Sequence, residues 1–426
     1  MLVEFAVSNF RSIRERQSIS LEAAKRYKDH PDNVKHLNVP GLSSGLLKGA
    51  AIYGPNAAGK SNLLKALAFM GSFVAGSHMK PLDAPTGTLP FVLDRESATR
   101  PSEFEAFFVV AGRLYQYGFS VTPDRVHVEY LNSFDDAGLR VKWFRRRWSN
   151  SANRYLWSSG DTYEIDPAIR KKVRSDTLLL SVGPQFNDTA LIPLHQWFAE
   201  SLQFADLAPA GFGPHFTAGQ LDAGGRLRSE IMELLRAADM NVADALVTRK
   251  QVGLADLPFR DELPPALVRI LERTETVEAL NVTLSHRGME GDLHGIDLEQ
   301  ESNGTQRYFQ LAGPWLDALQ NGHVFLLDEL ETSLHPTLVE ELLKLFFGRR
   351  NISGAQVIFT THNPMLLDSG VLRRDQVWFT ERDEVGRTTV YPLTDYRPRN
   401  DELLTRGYIS GRYGALPLVH FPNGEN

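Results

Sequence analysis

The chain contains no cysteine. That absence excludes disulfides, thiolate zinc sites and cysteine nucleophiles, and it sits easily with a reducing compartment. No apolar run approaches the ~20 residues needed to cross a bilayer. The opening MLVEFAVSNFRSIRER interrupts its apolar residues with charges, unlike a secretion signal. These absences predict a soluble, cytoplasmic protein with no membrane partner. No heptad array is long enough for a coiled-coil arm. Neither sign of charge dominates: 46 Lys and Arg against 52 Asp and Glu give a net charge of −6, which argues against a surface that coats nucleic acid throughout but leaves room for a local basic groove. What is present, 42% hydrophobic and 23% charged residues over 426 positions, is an ordinary globular composition with length for two or three domains.

One stretch organises the rest. The apolar run Ala50-Ala51-Ile52-Tyr53 leads into Gly54-Pro55-Asn56-Ala57-Ala58-Gly59-Lys60-Ser61, the spacing G-x-x-x-x-G-K-S, and Leu63, Leu64, Ala66 and Leu67 follow at helical spacing. A strand feeding such a loop, with a helix opening at Gly59–Lys60, wraps backbone N–H groups around phosphate oxygens and adds the positive end of the helix dipole. Lys60 is placed to reach the β- and γ-phosphates, and Ser61 offers its hydroxyl to Mg²⁺. A chance glycine-rich turn would not carry all four fixed positions between a strand and a helix. The stretch is a nucleoside-triphosphate site.

Period-two alternation predicts a strand at 2–8, a turn at Asn9–Ser12 and an antiparallel return at 18–21. Residues 25–45 and 76–90 read as loops, on their Pro and Gly content. From Phe104, three short runs divided by Gly112-Arg113 and Pro123-Asp124 predict an antiparallel meander. Residues 140–157, RVKWFRRRWSNSANRYLW, mix arginine with aromatics. They read either as a nucleic-acid or partner surface or as one more hairpin whose exposed face carries arginines. Helical spacing then predicts helices at 191–204, 226–248 and 264–272, a mainly helical insertion. The expected division is an N-terminal lobe at 1–165, a mainly helical lobe at 166–300, a second nucleotide lobe at 301–395 and a tail at 396–426.

The second nucleotide lobe supplies acid chemistry. HVFLLDE at 323–329 is an apolar strand ending in Asp328-Glu329. A buried parallel strand would deliver these carboxylates beside the phosphate loop, Asp328 toward Mg²⁺ and Glu329 toward the attacking water. AQVIFTTH at 355–362 is the next such strand, with His362 at its tip, either a γ-phosphate sensor or simply the start of a loop. Upstream, ESNGTQ at 301–306 opens a helix and forms a second anion-binding terminus. One triphosphate does not need two such termini. Two copies arranged head to tail do, each offering Ser302–Gly304 to the γ-phosphate held by the other.

Together these motifs resemble the ABC-type ATPase heads of the SMC, RecF and OLD-like kind. The resemblance implies an α/β fold: a P-loop parallel core, an antiparallel β lobe and an inserted mainly helical subdomain. It implies ATP and Mg²⁺ as cofactors. By the same likeness Gly54–Ser61 corresponds to the Walker A loop with Asn62 and Arg11 also at the nucleotide, Asp328 and Glu329 to Walker B and the catalytic glutamate, and His362 to the switch histidine. Ser302, Gly304 and Gln306 correspond to the signature acting in trans, Ser333 and His335 to the D-loop, and Gln185 to the metal-side glutamine of the Q-loop. The opening F-x-V-x-N-F-R-S-I at 5–13 and the closing Gly407-Tyr408-Ile409-Ser410-Gly411-Arg412-Tyr413-Gly414-Ala415-Leu416-Pro417 are similar to stand-alone AAA ATPases of the RloA-, AbiL- and AriA-like kind. Members of that group often act with a separately encoded effector in abortive infection. The signature here is S-N-G-T-Q, not the transporter S-G-G-Q, and no Toprim nuclease follows His362. The expected function is therefore an ATPase that associates with itself, as a head-to-tail dimer or higher oligomer, and gates an effector protein. A DNA-binding repair ATPase is the alternative.

Overall fold

The computed structural model describes residues 1–82, 84–205, 214–238, 240–253, 276–399 and 402–417. The strands, in chain order, are β1 (Leu2–Ser8), β2 (Gln17–Ser20), β3 (Gly49–Tyr53), β4 (Ser102–Val110), β5 (Arg113–Val121), β6 (Val126–Phe134), β7 (Arg140–Ser149), β8 (Arg154–Ser159), β9 (Leu202–Phe204), β10 (Val242–Gly253), β11 (Thr276–Arg287), β12 (Leu293–Asp297), β13 (Val324–Leu327), β14 (Gln356–Thr360), β15 (Val377–Arg382) and β16 (Thr388–Pro392). The helices that matter below are α1 (Lys60–Gly76), α2 (Pro214–Ala223), α3 (Gly225–Ala237), α4 (Asn303–Asn321), α5 (Pro336–Phe347) and α6 (Leu404–Ile409). The chain divides into two compact units, Met1–Gln203 with Asn321–Leu330 and Glu340–Asn426, and Phe204–Gln320 with Glu331–Val339.

The first unit holds two large sheets, besides a two-stranded ribbon of Val34–Lys35 with Leu46–Leu47. Its core sheet has the order β9-β13-β14-β3-β15-β16. The strands β13, β14, β3 and β15 run parallel, with Leu327 beside Phe359, Thr360 beside Ile52, and Phe379 beside Tyr53. β3, β13 and β14 are buried along their whole length, as continuous apolar runs in a doubly covered parallel sheet must be. The other sheet is antiparallel, β8-β7-β6-β5-β4-β1-β2; β4 alternates buried with more exposed residues, whereas the central β5 is buried at all but its first residue. The helix that leaves the phosphate loop joins the two: Phe69 and Phe73 of α1 pack against Phe104 and Phe119 on the inner face of the antiparallel sheet, with ring centroids 5.0 and 5.5 Å apart. Pro123-Asp124 divides two of the predicted runs, and Gly112 turns the hairpin between the others.

The arginine-rich stretch is the hairpin β7–β8, and its arginines are not equivalent. Arg146 is fully buried and pairs with buried Glu129, Nε to Oε2 2.7 Å. Its guanidinium also lies over Tyr155 and Trp157. Glu129 in turn accepts hydrogen bonds from Tyr117 Oη (2.9 Å) and from the N–H groups of Leu179 (2.8 Å) and Leu180 (3.0 Å). That capture fixes where the next helical turn begins. A carboxylate receiving two successive N–H groups starts a helical turn, Leu179–Val182, which runs into the single turn Gly183–Phe186.

The second unit corrects the expectation of a mainly helical lobe. α3 ends at Ala237, where the period-3.6 apolar pattern ends, and Val242, Val247, Thr248 and Val252 belong instead to β10. β10, β11 and β12 form an antiparallel sheet in which β10 and β11 pair over a long register, from Val242 opposite His286 to Gly253 opposite Thr276. β-branched residues favour that pleated surface over a helix. The segment 191–204 likewise is a short helix and a wide turn that give way to β9 at Leu202. The boundary between the units consequently falls at 203/204, not at 165/166. The helix predicted at 264–272 lies outside the described residues.

Candidate nucleotide site

The phosphate loop lies between β3 and α1 with its backbone in the conformations it needs. Gly59 has φ +101°, and a Cβ there would fall 2.1 Å from Thr388 Oγ1; one on Gly54 would fall 2.5 Å from the Thr380 carbonyl oxygen. Both positions therefore admit only glycine. Ala57, between them, also has positive φ (62°). Lys60 is buried and turns back over the loop, donating to the carbonyls of Gly54 (2.8 Å) and Pro55 (3.1 Å). Thr380 Oγ1 donates to the Tyr53 carbonyl at 3.2 Å, fixing the strand end from which the loop departs.

Behind the loop is a bracket that sequence reading misses. Thr388 Oγ1 lies 2.9 Å from the Ala58 carbonyl and 2.8 Å from Ser12 Oγ, and Asn62 Nδ2 donates to the same Ser12 Oγ at 2.7 Å. Ser12 reaches this point because the Asn9–Arg14 turn is itself held: Asn9 Nδ2 donates to the carbonyls of Ser97 and Arg100. Asn62 thus spends its amide on the N-terminal turn. Arg11 stands next to Ser12, exposed, with its guanidinium 5.6 Å from the Phe10 ring centre. The N-F-R-S run announced this turn. Nothing around Thr388 announced its role.

The carboxylates arrive where the strands end. Thr360 Oγ1 donates to Asp328 Oδ1 at 2.6 Å and accepts the Glu329 N–H at 2.7 Å, while Leu330 N–H donates to the Thr360 carbonyl. One buried hydroxyl therefore orients both acidic residues. Glu329 has positive φ (49°) and is exposed, so the chain turns sharply as it leaves β13. His362 is exposed two residues beyond β14, and Thr361 N–H donates to the Ile52 carbonyl, tying this strand end to the one before the phosphate loop. Gly54, Asp328, Glu329 and His362 share the C-terminal edge of one parallel sheet, the edge at which such sheets hold ligands. Ser61 and Asp328 offer hydroxyl and carboxylate oxygens, a hard donor set that suits Mg²⁺ held jointly with phosphate oxygens.

Gln185 lies exposed on the turn Gly183–Phe186. The strand beside β13 is β9, and its glutamine is Gln203, 8% exposed. The three-residue length of β9 hid it from a periodicity count.

In the second unit, Ser302 begins α4. Its Oγ accepts the Thr305 N–H at 3.2 Å and its carbonyl accepts the Gln306 N–H at 3.0 Å. Gln306 Nε2 bonds back to the carbonyls of Glu299 and Glu301, so this side chain braces the turn. Ser302 itself is exposed at the start of a 19-residue helix. Gly304 packs on the next motif: a Cβ there would come within 2.9 Å of the Ser333 carbonyl. Ser333 is in a left-handed conformation (φ 62°), and the exposed His335 accepts the Thr337 N–H on Nδ1. The Ser302–Gln306 turn and the Ser333–His335 turn thus lie together, with Ser302, Ser333 and His335 exposed.

A P-loop with its lysine, an acidic pair and a neighbouring parallel strand ending in histidine define the class, a P-loop nucleoside-triphosphatase fold. The chain belongs to the family described as AAA domain, putative AbiEii toxin, Type IV TA system, whose family model matches residues 50–368. Among solved structures it is similar to an SMC head domain from Thermotoga maritima, at 12% identity and a TM-score of 0.40 over 92% of this chain and 98% of that one. It is also similar to an SMC head bound to the C-winged helix domain of ScpA, at 13% identity and a TM-score of 0.43 over 92% and 97%. No curated protein matches it. Among the described residues, no helix is long and apolar enough to cross a membrane.

Proposed function

We propose that this chain is an ATP hydrolase working at composite sites between head-to-tail copies, and that closure of those sites gates a separately encoded effector in antiphage defence. The observation that carries the hydrolytic part is the Thr360 hydroxyl, bonded at once to the Asp328 carboxylate and the Glu329 backbone N–H at the edge where the phosphate loop lies. In this reading Lys60 and the loop amides hold the triphosphate. Asp328 and Ser61 serve the Mg²⁺ side, and His362 the γ-phosphate. Bound Mg²⁺ neutralises charge developing on the phosphoryl oxygens. Glu329 takes the proton of the attacking water. The exposed Ser302 turn supports completion in trans, because it stands at the positive N-terminal end of a 19-residue helix.

Glu329→Gln keeps the shape and removes the base. It is expected to bind ATP, accumulate the associated state and turn over about 10²–10⁴-fold more slowly. Turnover at the wild-type rate overturns the assignment. Ser302→Arg is expected to spare ATP binding and abolish turnover that rises with protein concentration.

A second reading, a nucleic-acid clamp, is favoured by one observation. The outward positions of β7 are Arg140, Lys142, Arg145 and Arg147, all exposed, and three of them line a groove of about 590 Å³ floored by Gln116, Tyr130 and Asn132. Because Arg146 is buried, the discriminating variant is Arg140/Lys142/Arg145/Arg147→Ala with Arg146 intact. Loss of a steeply salt-dependent DNA affinity in that variant supports the clamp. DNA binding that is absent in the wild type removes it.

A further inference from the structure

The segment 402–417, which includes the run Gly407–Pro417, has no part in the chemistry above, yet it is tied to two ends of the nucleotide site. The first tie is to the turn that follows His362. Asp368, at the end of the Pro364–Leu367 turn, accepts the N–H groups of Leu404 (2.8 Å, Oδ1) and Thr405 (2.9 Å, Oδ2), and Thr405 Oγ1 donates to the Pro364 carbonyl at 2.8 Å. The second tie is to the strand end that precedes Gly54. The buried ring of Tyr408 stands edge-on to Tyr53 and stacks on Phe379, both with centroids 5.6 Å apart, and Tyr413 stacks on Phe379 at 5.9 Å. Polar bonds lock the run onto these rings. Tyr408 Oη donates to the Ala415 carbonyl, Tyr391 Oη to the Tyr413 carbonyl, and Ala415 N–H to Glu381 Oε1.

We propose that residues 402–415 are a positioning element of the nucleotide site, in which Asp368 and Tyr408 hold the His362 turn and the Tyr53–Gly54 strand end in register. The reason lies in helix length. α6 has six residues, too few to be stable alone. Its order is lent by the Asp368 carboxylate at one end and the tyrosines at the other. A shift of the His362 turn therefore changes the order of α6, and an agent that pulls on 402–417 shifts the His362 turn by the same coupling energy. Ordinary tail packing would bury apolar rings without placing both oxygens of a switch-side carboxylate on the helix start.

The inference rests on the reading of His362 as the γ-phosphate residue, and the test separates the two. Steady-state kinetics and binding of a non-hydrolysable ATP analogue are compared for the full chain, Asp368→Ala, Asp368→Asn, Thr405→Val and His362→Ala. Trypsin cleavage after Arg406 and Arg412 is followed in the wild type with and without the analogue. The expected result is a kcat reduced about 10- to 100-fold in Asp368→Ala with KM little changed, as for a misplaced catalytic group. Asp368→Asn, which keeps one acceptor oxygen, is expected to recover part of the loss, and Thr405→Val to show a smaller loss. The analogue is expected to change the cleavage rate severalfold. The proposal is overturned if wild-type cleavage ignores the analogue and Asp368→Ala and Thr405→Val keep the wild-type kcat. If His362→Ala alone is inactive in that outcome, the histidine reading stands without the tail. If His362→Ala turns over normally while cleavage still responds to nucleotide, the tail coupling stands and the histidine reading fails. The wild-type cleavage and Thr405→Val decide the matter even where Asp368→Ala does not fold.

Discussion

The two large sheets of the first unit treat charge in opposite ways. Through the parallel strands β3, β13 and β14 no charged side chain occurs, and the acidic and basic groups appear where the strands stop, at Asp328, Glu329, Lys60 and His362. In the antiparallel sheet charge runs through the strands themselves. On β7 it alternates, so that Arg146 is buried against Glu129 while Arg145 and Arg147 face outward. A parallel sheet covered on both faces has nowhere to put an ionised group except its ends, and its chemistry is concentrated there. A sheet with one wet face can hold charge anywhere. The same residue type is then structural on one face and available for binding on the other, and three consecutive arginines carry two different meanings.

The sharpest way to break this comparison is to remove one member of the buried pair. Arg146→Met or Glu129→Leu is expected to destabilise the protein by about 3–5 kcal/mol, because each leaves an uncompensated buried charge. Arg145→Ala and Arg147→Ala, one position away, are expected to stay within about 0.5 kcal/mol. Urea-denaturation midpoints check both. Equal losses at 145 and 146 would erase the distinction between the faces. The double variant is expected to recover only part of the loss, since Tyr117 and the Leu179 and Leu180 amides also depend on Glu129.

A smaller effect on stability and a larger one on turnover are expected at the edge of the parallel sheet. Thr360→Val keeps the branched shape and removes the hydroxyl shared by Asp328 and Glu329. It is expected to cost about 1 kcal/mol of stability, and ATP turnover is expected to fall by about tenfold or more. A variant with normal turnover would show that the carboxylates do not need that hydroxyl.

The smallest effect concerns the tail. The hydrogen bond from Tyr413, then that from the Arg399 N–H and the charge of Arg412, hold the Glu402 carboxyl below its ordinary value. A carboxylate depressed in the folded state contributes stability that is fully present above its unfolded value, about 4.3, and is lost as pH falls through its lower folded value. Tryptic cleavage after Arg406 cannot be read in acid, so pepsin is the suitable probe. Cutting within 402–417 is expected to accelerate below about pH 4, and Glu402→Gln is expected to flatten that rise. An identical pH profile in the variant would remove Glu402 from the account.

The alternation of Leu2–Ser8, the apolar runs before Gly54 and Asp328, and the fixed spacing of the phosphate loop were legible residue by residue, because each is set by local backbone geometry and by the need to bury a continuous face. So was the turn at Ser302, where a short polar side chain caps the following helix. The failures have a common cause. Residues 242–248, next to a real helix, were read as its continuation, since periodicity is lost only gradually at an element boundary. The start of the helical turn Leu179–Val182 is set by Glu129, some 50 residues away in sequence. β9, at the end of the helix expected over 191–204, is a strand too short for any period to register.

By itself, then, the sequence determined that a triphosphate loop is followed by an acidic strand and a strand ending in histidine, and that the chain falls in the α/β class. Local patterns of glycine, lysine and apolar residues suffice for that. Tertiary structure alone decided which arginine is buried, that Thr360 serves both Asp328 and Glu329, that Ser12 and Thr388 brace the loop from opposite ends of the chain, and that Tyr408 rests on Tyr53. Each of these is a contact between residues far apart in sequence. Such a contact leaves no periodic trace, because what selects it is the fit of two surfaces that meet only after the chain has folded.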